Sequence, residues 1–379
     1  MFNRRLATLG SAAVILLAAC SSSGSSAAPS TAASAAAPSA AAPSAAAPSA
    51  AGSAAAAACK VGVSWNNFQE PRWAKFDKPA IQAAVTAGGG TYIENDAKSS
   101  AETQATNVEN LISQGANVVI ILAQDGTAIK PSVAAATAAG IPVIAYDRLI
   151  EDPSALYLTF DNKLVGHLQA QAIFDKVPKG TYAIIKGNKA DANADFLRAG
   201  MEEVIGAAVK AGDIKIAAEQ YTDNWDPKNA QTEMEQILTA ASNKIDAVLS
   251  ENDGMAGGVI AALAAQGLDG KVPVSGQDGD APALNRVALG TQTVDVWKDA
   301  RLLGKSAGEA AIALCANKDL KSVPGTVQFT SPGGNDMTSQ FLTPEAITQD
   351  KLKDVLDAGW IDKATLCQGV TDTSVAACQ

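Results

Sequence analysis

Residues 141–148 read IPVIAYDR, an apolar run that stops abruptly in an aspartate and an arginine. Strands covered on both faces read as continuous apolar runs. In an open parallel sheet the carboxyl ends of such strands face the crevice where ligands bind. The pair Asp147–Arg148 at that place offers one acceptor and one forked donor in a semi-dry setting, the mixture that sugar hydroxyls need. A strand-end ion pair capping the next loop is the competing explanation, and the other strand ends decide between the two. The run at 61–65 continues into NNFQEPRW, which carries Arg72 and Trp73. Asp191-Ala192-Asn193 follows the run that ends at Gly187, and Asp223-Asn224-Trp225 follows the one at 214–219. Glu251-Asn252-Asp253, Gln277-Asp278 and Trp297-Lys298 close three further runs. Amide, carboxylate, guanidinium, ammonium and indole groups therefore recur at one rim.

Only 5% of the residues are aromatic, so the places of the five tryptophans carry information. Trp73 and Trp225 fall one in each half of the chain, both beside polar strand-end residues. Two flat indoles can sandwich a pyranose, whose C–H faces are apolar and whose edge hydroxyls are polar. Trp65 and Trp297 sit within strands and are expected in the core, and Trp360 is expected to pack near the tail. Catalytic readings find little support. His167, the single histidine, lies in a helical apolar pattern, no serine occupies a nucleophile elbow, and the cysteines lack zinc spacing. Gly88-Gly89-Gly90 has neither a dinucleotide-binding nor a P-loop context and reads as a helix stop. No cofactor motif is present and no metal site is expected. Carboxylates are numerous, so counting alone does not remove a glycosidase pair.

These rim residues need elements to hold them. Apolar runs at 61–65, 91–95, 117–122, 142–146, 156–160, 182–186, 214–219, 245–250, 273–276 and 294–297 read as strands. Between them, 101–114, 164–176, 194–211, 227–242 and 301–316 have helical period. Alternation repeated this often predicts an α/β fold with parallel sheets covered by helices on both faces. It runs through two rounds, one ending near 156–160 and the other near 294–297, which predicts two doubly wound lobes with a cleft between them. About 320 residues lie beyond the first sixty, more than one hydrophobic core usually serves.

Arg4 and Arg5 precede an apolar run at 6–19 and then Leu17-Ala18-Ala19-Cys20. A basic start, a short apolar core and small residues at the break read as a secretory signal, too short to span a bilayer. Its LAAC ending resembles the bacterial lipobox, which implies that Cys20 becomes the lipidated first residue, held on a membrane by its acyl chains. Residues 21–58 are almost wholly Ala, Ser, Pro and Gly, with no charge and no large apolar side chain, and so cannot bury a core. They read as a tether, reaching roughly 120 Å at about 3.1 Å per residue. The net charge of −10, with no basic stripe, argues against nucleic acid. Cys59, Cys315, Cys367 and Cys378 remain. An even number in an exported chain suggests two disulfides, with three pairings open.

With those residues in view, the chain resembles the pentose- and hexose-binding branch of the bacterial solute-binding proteins over about 60–359. The resemblance rests on RW at 72–73, AYDR at 145–148, FDN with the following VG at 160–166, FLRAG at 196–200, NKIDAV at 243–248, AGG at 256–258 and SGQD at 275–278. It implies two Rossmann-like lobes joined by a three-strand hinge, the type I periplasmic-binding architecture. It also implies a monomeric receptor without catalytic activity that closes on a free monosaccharide, foremost D-xylose, and delivers it to an ABC permease outside the cytoplasm. Carried over residue by residue, the family's sugar contacts fall on Arg72, Trp73, Asp147, Arg148, Asn193, Trp225, Asn252, Asp278 and Lys298. The loops NNFQEP before Arg72 and GNKADAN before Asn193 depart from the family pattern. A broader aldose receptor, for glucose, galactose or arabinose and feeding transport or chemosensing, therefore stays open, with a surface carbohydrate-processing enzyme as the reading from another class. The sugar-sensing repressors of this fold need an N-terminal DNA-binding helix pair, where this chain has a signal and a tether.

The resemblance also implies crossings between lobes near 159–161, 295–297 and 340–344. One lobe then comprises 59–158 plus 297–340 and the other 159–296 plus 341–379. Cys59 immediately precedes the first strand, on the floor of the first lobe. The helix starting near Arg301 leaves the cleft and runs down that lobe, carrying Cys315 to the same floor. Cys367 and Cys378 both lie in the tail of the other lobe. Bridged α-carbons must lie within roughly 7 Å, so the expected pairs are Cys59–Cys315 and Cys367–Cys378.

Overall fold

The structure, a computed structural model, describes residues 59–379. The expected signal, the Cys20 lipidation site and the tether at 21–58 lie outside the described residues. From Lys60 the chain alternates strand and helix: β1 (Lys60–Trp65), α1 (Lys78–Ala87), β2 (Thr91–Asp96), α2 (Ala101–Ser113), β3 (Val118–Ile121), α3 (Lys130–Ala138), β4 (Val143–Tyr146) and β5 (Ala155–Phe160). A second round follows with α4 (Asn162–Phe174), β6 (Gly180–Lys186), α5 (Ala192–Ala211), β7 (Ile214–Tyr221), α6 (Pro227–Ala240), β8 (Ala247–Ser250), α7 (Asp253–Ala264), β9 (Ser275–Gln277), α8 (Ala281–Leu289) and β10 (Val294–Trp297). The chain ends with α9 (Ala300–Ala316), β11 (Val327–Thr330), β12 (Asp336–Leu342), β13 (Glu345–Ile347), α10 (Leu352–Asp357) and α11 (Lys363–Leu366).

Seven strands form one sheet in the order β11-β12-β5-β4-β3-β1-β2, parallel except where β11 meets β12. The second lobe holds β7-β6-β8 and β13-β10-β9, joined by a parallel bridge between Val248 and Val274. Central strands are buried along their whole length, as in VVII of β3 and ALYLTF of β5, because helices cover both faces. In the first lobe α1 and α9 cover one face, while Val108 and Leu111 of α2 and Val133 of α3 pack on the other. In the second lobe α4 and α5 cross so closely that a Cβ on Gly166 would lie 1.9 Å from the Leu197 carbonyl oxygen.

Ten strands were legible as apolar runs; β11, β12 and β13 were not. β11 and β13 lie at sheet edges and expose polar residues, and β12 reads DMTSQFL, without a continuous apolar run. These strands matter for connectivity. The chain leaves the first sheet after β5, returns to that lobe with α9 after β10, and crosses a third time between β12 and β13. The first and third crossings run side by side, tied by the Asp161 N–H donating to the Leu342 carbonyl at 2.9 Å. Disulfides join Cys59 to Cys315 and Cys367 to Cys378, with Cα separations of 5.9 and 5.5 Å. Among the described residues, no helix is long and apolar enough to cross a membrane.

Candidate binding site

The carboxyl ends of β1, β3 and β4 in the first lobe meet those of β6, β7, β8 and β9 in the second. All nine residues carried over from the family lie in or beside the loops at this rim, and all are buried, none more than 6% exposed. Buried charges must be paired, and here the pairs cross between lobes.

Arg72 is the hub. Its Nε and Nη2 donate to the two oxygens of Asp77 at 3.1 and 2.9 Å, its Nη2 lies 3.3 Å from Asp147 Oδ2, and its Nη1 donates to Asp278 Oδ1 at 3.2 Å across the cleft. The same Asp278 oxygen lies 3.0 Å from Lys298 Nζ. Burial works against the charge on Arg72, yet Asp77, Asp147 and Asp278 hold it ionised well beyond its ordinary range. Burial likewise pushes Asp278 up, but Lys298 and Arg72 outweigh it and leave the carboxyl below its usual value. Asp77 stays raised because burial prevails over Arg72, and its Oδ1 also accepts from the Tyr146 hydroxyl.

Trp73 follows Arg72 directly. The guanidinium carbon lies 4.3 Å from the centre of its ring and covers one indole face. The indole N–H donates to Glu70 at 2.9 Å, fixing the ring plane. On the other side of the rim Arg148 Nε reaches Asp191 Oδ2 in the second lobe at 2.9 Å and its Nη1 the Ala123 carbonyl at 3.2 Å. Asn193 is already engaged: its oxygen accepts from Asn162 at 2.9 Å, and its nitrogen donates to the Asp147 carbonyl at 3.1 Å. Asn252 caps α7, accepting from the Met255 N–H at 2.9 Å. Asp147 Oδ2 accepts no hydrogen bond and the Trp225 indole N–H donates none among the described residues, though both atoms are buried.

Backbone strain concentrates here. Among the described residues eight non-glycine residues have positive φ, and Asp147 (63°), Asn224 (58°), Trp225 (57°) and Asp278 (108°) are four of them. Such conformations persist only where the surroundings over-determine them, and they cluster at ligand clamps. Trp225 is admitted by Gly187, where a Cβ would lie 2.1 Å from the indole.

Asp77 and Gln124 escaped sequence reasoning, while Glu70, Asp191 and Asn224 stand in the rim segments read from the sequence but outside the nine residues assigned to the site. Asp77 stands five residues after Arg72, a spacing that an ordinary helix places on another face. The turn Trp73–Asp77 is instead π-helical, which brings the two together. The signal in the sequence was the arginine and the aspartate, but not the turn type. Elsewhere, Trp65 is core as expected, and Trp360 stacks on Phe76 with centroids 3.7 Å apart and donates to the Gly279 carbonyl at 2.6 Å. His167 lies on the α4 surface, 3.6 Å from Glu203.

A family model described as a periplasmic binding protein domain matches residues 61–319. The D-xylose-binding periplasmic protein of Escherichia coli (strain K12) is 39% identical over 298 residues, covering 78% of this chain and 89% of that protein. The multiple sugar-binding periplasmic receptor ChvE of Rhizobium radiobacter is 33% identical over 327 residues, covering 80% and 91%. Among solved structures, an ABC transporter solute-binding protein from Clostridium phytofermentans with bound β-D-glucose superposes with a TM-score of 0.74 at 27% identity, over 81% of this chain and 99% of that one. Likeness of this extent fixes the family: the chain belongs to the periplasmic binding proteins, among the sugar-binding solute receptors of ABC importers.

Proposed function

We propose that this protein is the extracytoplasmic receptor of an ABC importer that captures free D-xylose between its lobes and performs no chemistry on it. The observation that carries the reading is the buried, ion-paired set Arg72–Asp278–Lys298, contributed from both sides of the cleft. Asp278 spends one oxygen on both cations and keeps Oδ2 for a hydroxyl. Asp147 Oδ2 is a second acceptor, while Arg148 and Lys298 donate, and the indoles of Trp73 and Trp225 offer apolar area to the sugar's C–H faces. Asn193 and Asn252 complete the set at its margins. The similarity to a D-xylose-binding protein points to that sugar. A broader aldose receptor is the second reading, favoured by the departing loops at 66–71 and 187–193 and by the likeness to a multiple-sugar receptor.

Two lobes, 59–158 plus 297–340 and 159–296 plus 341–379, move about the three crossings and close on the sugar. A ligand that touches both lobes binds the closed state better and shifts the population toward it. Cys20 carries the lipid that holds the receptor on the outer face of the cell membrane, and Cys20→Ser should release it from the membrane fraction. Titration calorimetry of the purified protein with D-xylose, D-glucose, D-galactose, L-arabinose and xylitol tests the ligand. D-xylose should bind most tightly, comparable affinities for several aldoses would favour the second reading, and no heat with any aldose would overturn both.

A further inference from the structure

Trp225 is held in an unfavourable backbone conformation, and among the described residues one side-chain hydrogen bond to its turn comes from the other lobe. Asn224 (φ 58°, ψ 18°) and Trp225 (φ 57°) are consecutive left-handed residues at the end of β7. Asparagine tolerates that region; a bulky tryptophan does so only under constraint. Within the second lobe the turn is secured by the Trp225 N–H donating to Thr222 at 3.2 Å, by Asn229 donating to the Asp223 carbonyl at 3.3 Å, and by Gly187 beneath the indole. None of these fixes the Asn224 side chain. Gln124, one hundred residues away beyond β3 in the first lobe, donates from Nε2 to Asn224 Oδ1 at 3.0 Å.

Gln124 is itself rigidly placed. Its N–H donates to Gln104 Oε1 at 2.7 Å, and Gln104 Nε2 donates to the Leu122 carbonyl at 2.7 Å, so the buried Gln104 ties the end of β3 to α2. The donor aimed at Asn224 is thus carried on the sheet of the first lobe, and it can reach the turn only when the lobes are together. Gln124 Oε1 is buried at the same rim with no hydrogen-bond partner among the described residues.

We propose that Gln124 is a positioning residue of the binding site: by clamping Asn224 it fixes the left-handed turn that presents Trp225, and so couples the placement of the indole to lobe closure. This rests on the cleft being the sugar site, as proposed above, but it is tested separately. Gln124→Ala, Asn224→Ala and the double variant should each weaken sugar binding roughly two- to tenfold, the range of one neutral hydrogen bond. The loss should lie in a faster dissociation rate, and the double variant should be no worse than either single one. Hydrogen exchange of the Trp225 and Asp226 amides, both bonded within the turn, should quicken in both single variants and stay as in wild type in Lys353→Ala, a surface control on α10. Gly187→Ala, which collides with the indole, should weaken binding more than either. Additive losses in the double variant, or wild-type exchange in Gln124→Ala, would overturn the clamp. If the wild-type protein binds no monosaccharide, the sugar reading fails, and the exchange rates alone decide for or against the clamp.

Discussion

Replacing Asp278 with alanine should weaken sugar binding roughly ten- to hundredfold, because three contributions fail at once. The first is the bond to the ligand: a hydrogen bond to a charged group is worth about 1.5–3 kcal/mol, and each 1.4 kcal/mol is about tenfold. The second is the fate of the cations. Arg72 keeps both oxygens of Asp77 and its approach to Asp147, whereas Lys298 has Asp278 as its one ion-pair partner among the described residues. Stranding a buried ammonium costs about 3–5 kcal/mol of stability. The third is closure: the 3.2 Å Arg72–Asp278 pair spans the lobes, so its loss lowers the closed population and raises the apparent Kd in proportion. Asp278→Asn separates the terms, since the amide oxygen can still accept from Lys298 while the charge is gone. We expect a smaller loss of thermal stability than in the alanine variant but still about tenfold weaker binding. Calorimetry reads affinity, a thermal melt without sugar reads stability, and small-angle scattering reads closure. Wild-type affinity in both variants would refute the site; weakened binding with unchanged scattering would remove the closure term alone.

Two further outcomes bear on the scaffold. Asp295 on β10 accepts from the Gly279 N–H at 3.0 Å, and burial, with the nearby charges of Asp280 and Asp278, raises its carboxyl from 3.8 to about 7 against the hydrogen bonds from Asp253 and Gly279. An acid raised by folding holds a proton that the unfolded chain has lost, so stability should fall as pH rises from about 4 to about 7, by at most roughly 4 kcal/mol; Asp295→Asn should flatten that slope in denaturant melts, and an unchanged slope would assign the titration elsewhere. Replacing Cys59 and Cys315 by alanine opens a loop of 256 residues and should cost up to roughly 5 kcal/mol in chemical denaturation, against roughly 3 for the 11-residue span of Cys367 and Cys378; a larger loss from the tail pair would contradict the loop-entropy account.

Much of the candidate site was legible because one physical rule gathers its residues at the rim. Strands buried on both faces must be apolar until they reach the rim, so polar residues just after the runs, among them Asp147, Asn252, Asp278 and Lys298, mark where the chain meets the cleft. What escaped was set by conformation and not by composition. Asp77 joins Arg72 through a π turn, which leaves no mark in the pattern of apolar residues. The left-handed backbone at Asp147, Trp225 and Asp278 has no glycine to announce it. Gln124 and Asn224 each look like ordinary loop amides, and only the meeting of two lobes makes them partners. The strands β11 and β12 were illegible for the opposite reason: at the border of the sheet the continuous apolar run disappears, and with it the signal.

The charges at the rim also argue for the kind of ligand. Arg72, Arg148 and Lys298 face Asp77, Asp147, Asp191 and Asp278, each within ion-pair distance of another member of the set. Within this ion-paired set the carboxylates outnumber the cations by one, and burial raises Asp77 and Asp191, and Glu70 beside them, toward their neutral forms. Such a set is close to electroneutral before any ligand arrives. A phosphate or carboxylate would add an anion that no spare cation meets, because every guanidinium and ammonium is already committed. A neutral polyol adds none, and it can accept from Arg148 and Lys298 while donating to Asp147 and Asp278 without breaking the pairs that hold the lobes together. If this is the sugar site, as proposed, its internal pairing favours an uncharged sugar and leaves the choice among sugars to the indole planes and the loops around them.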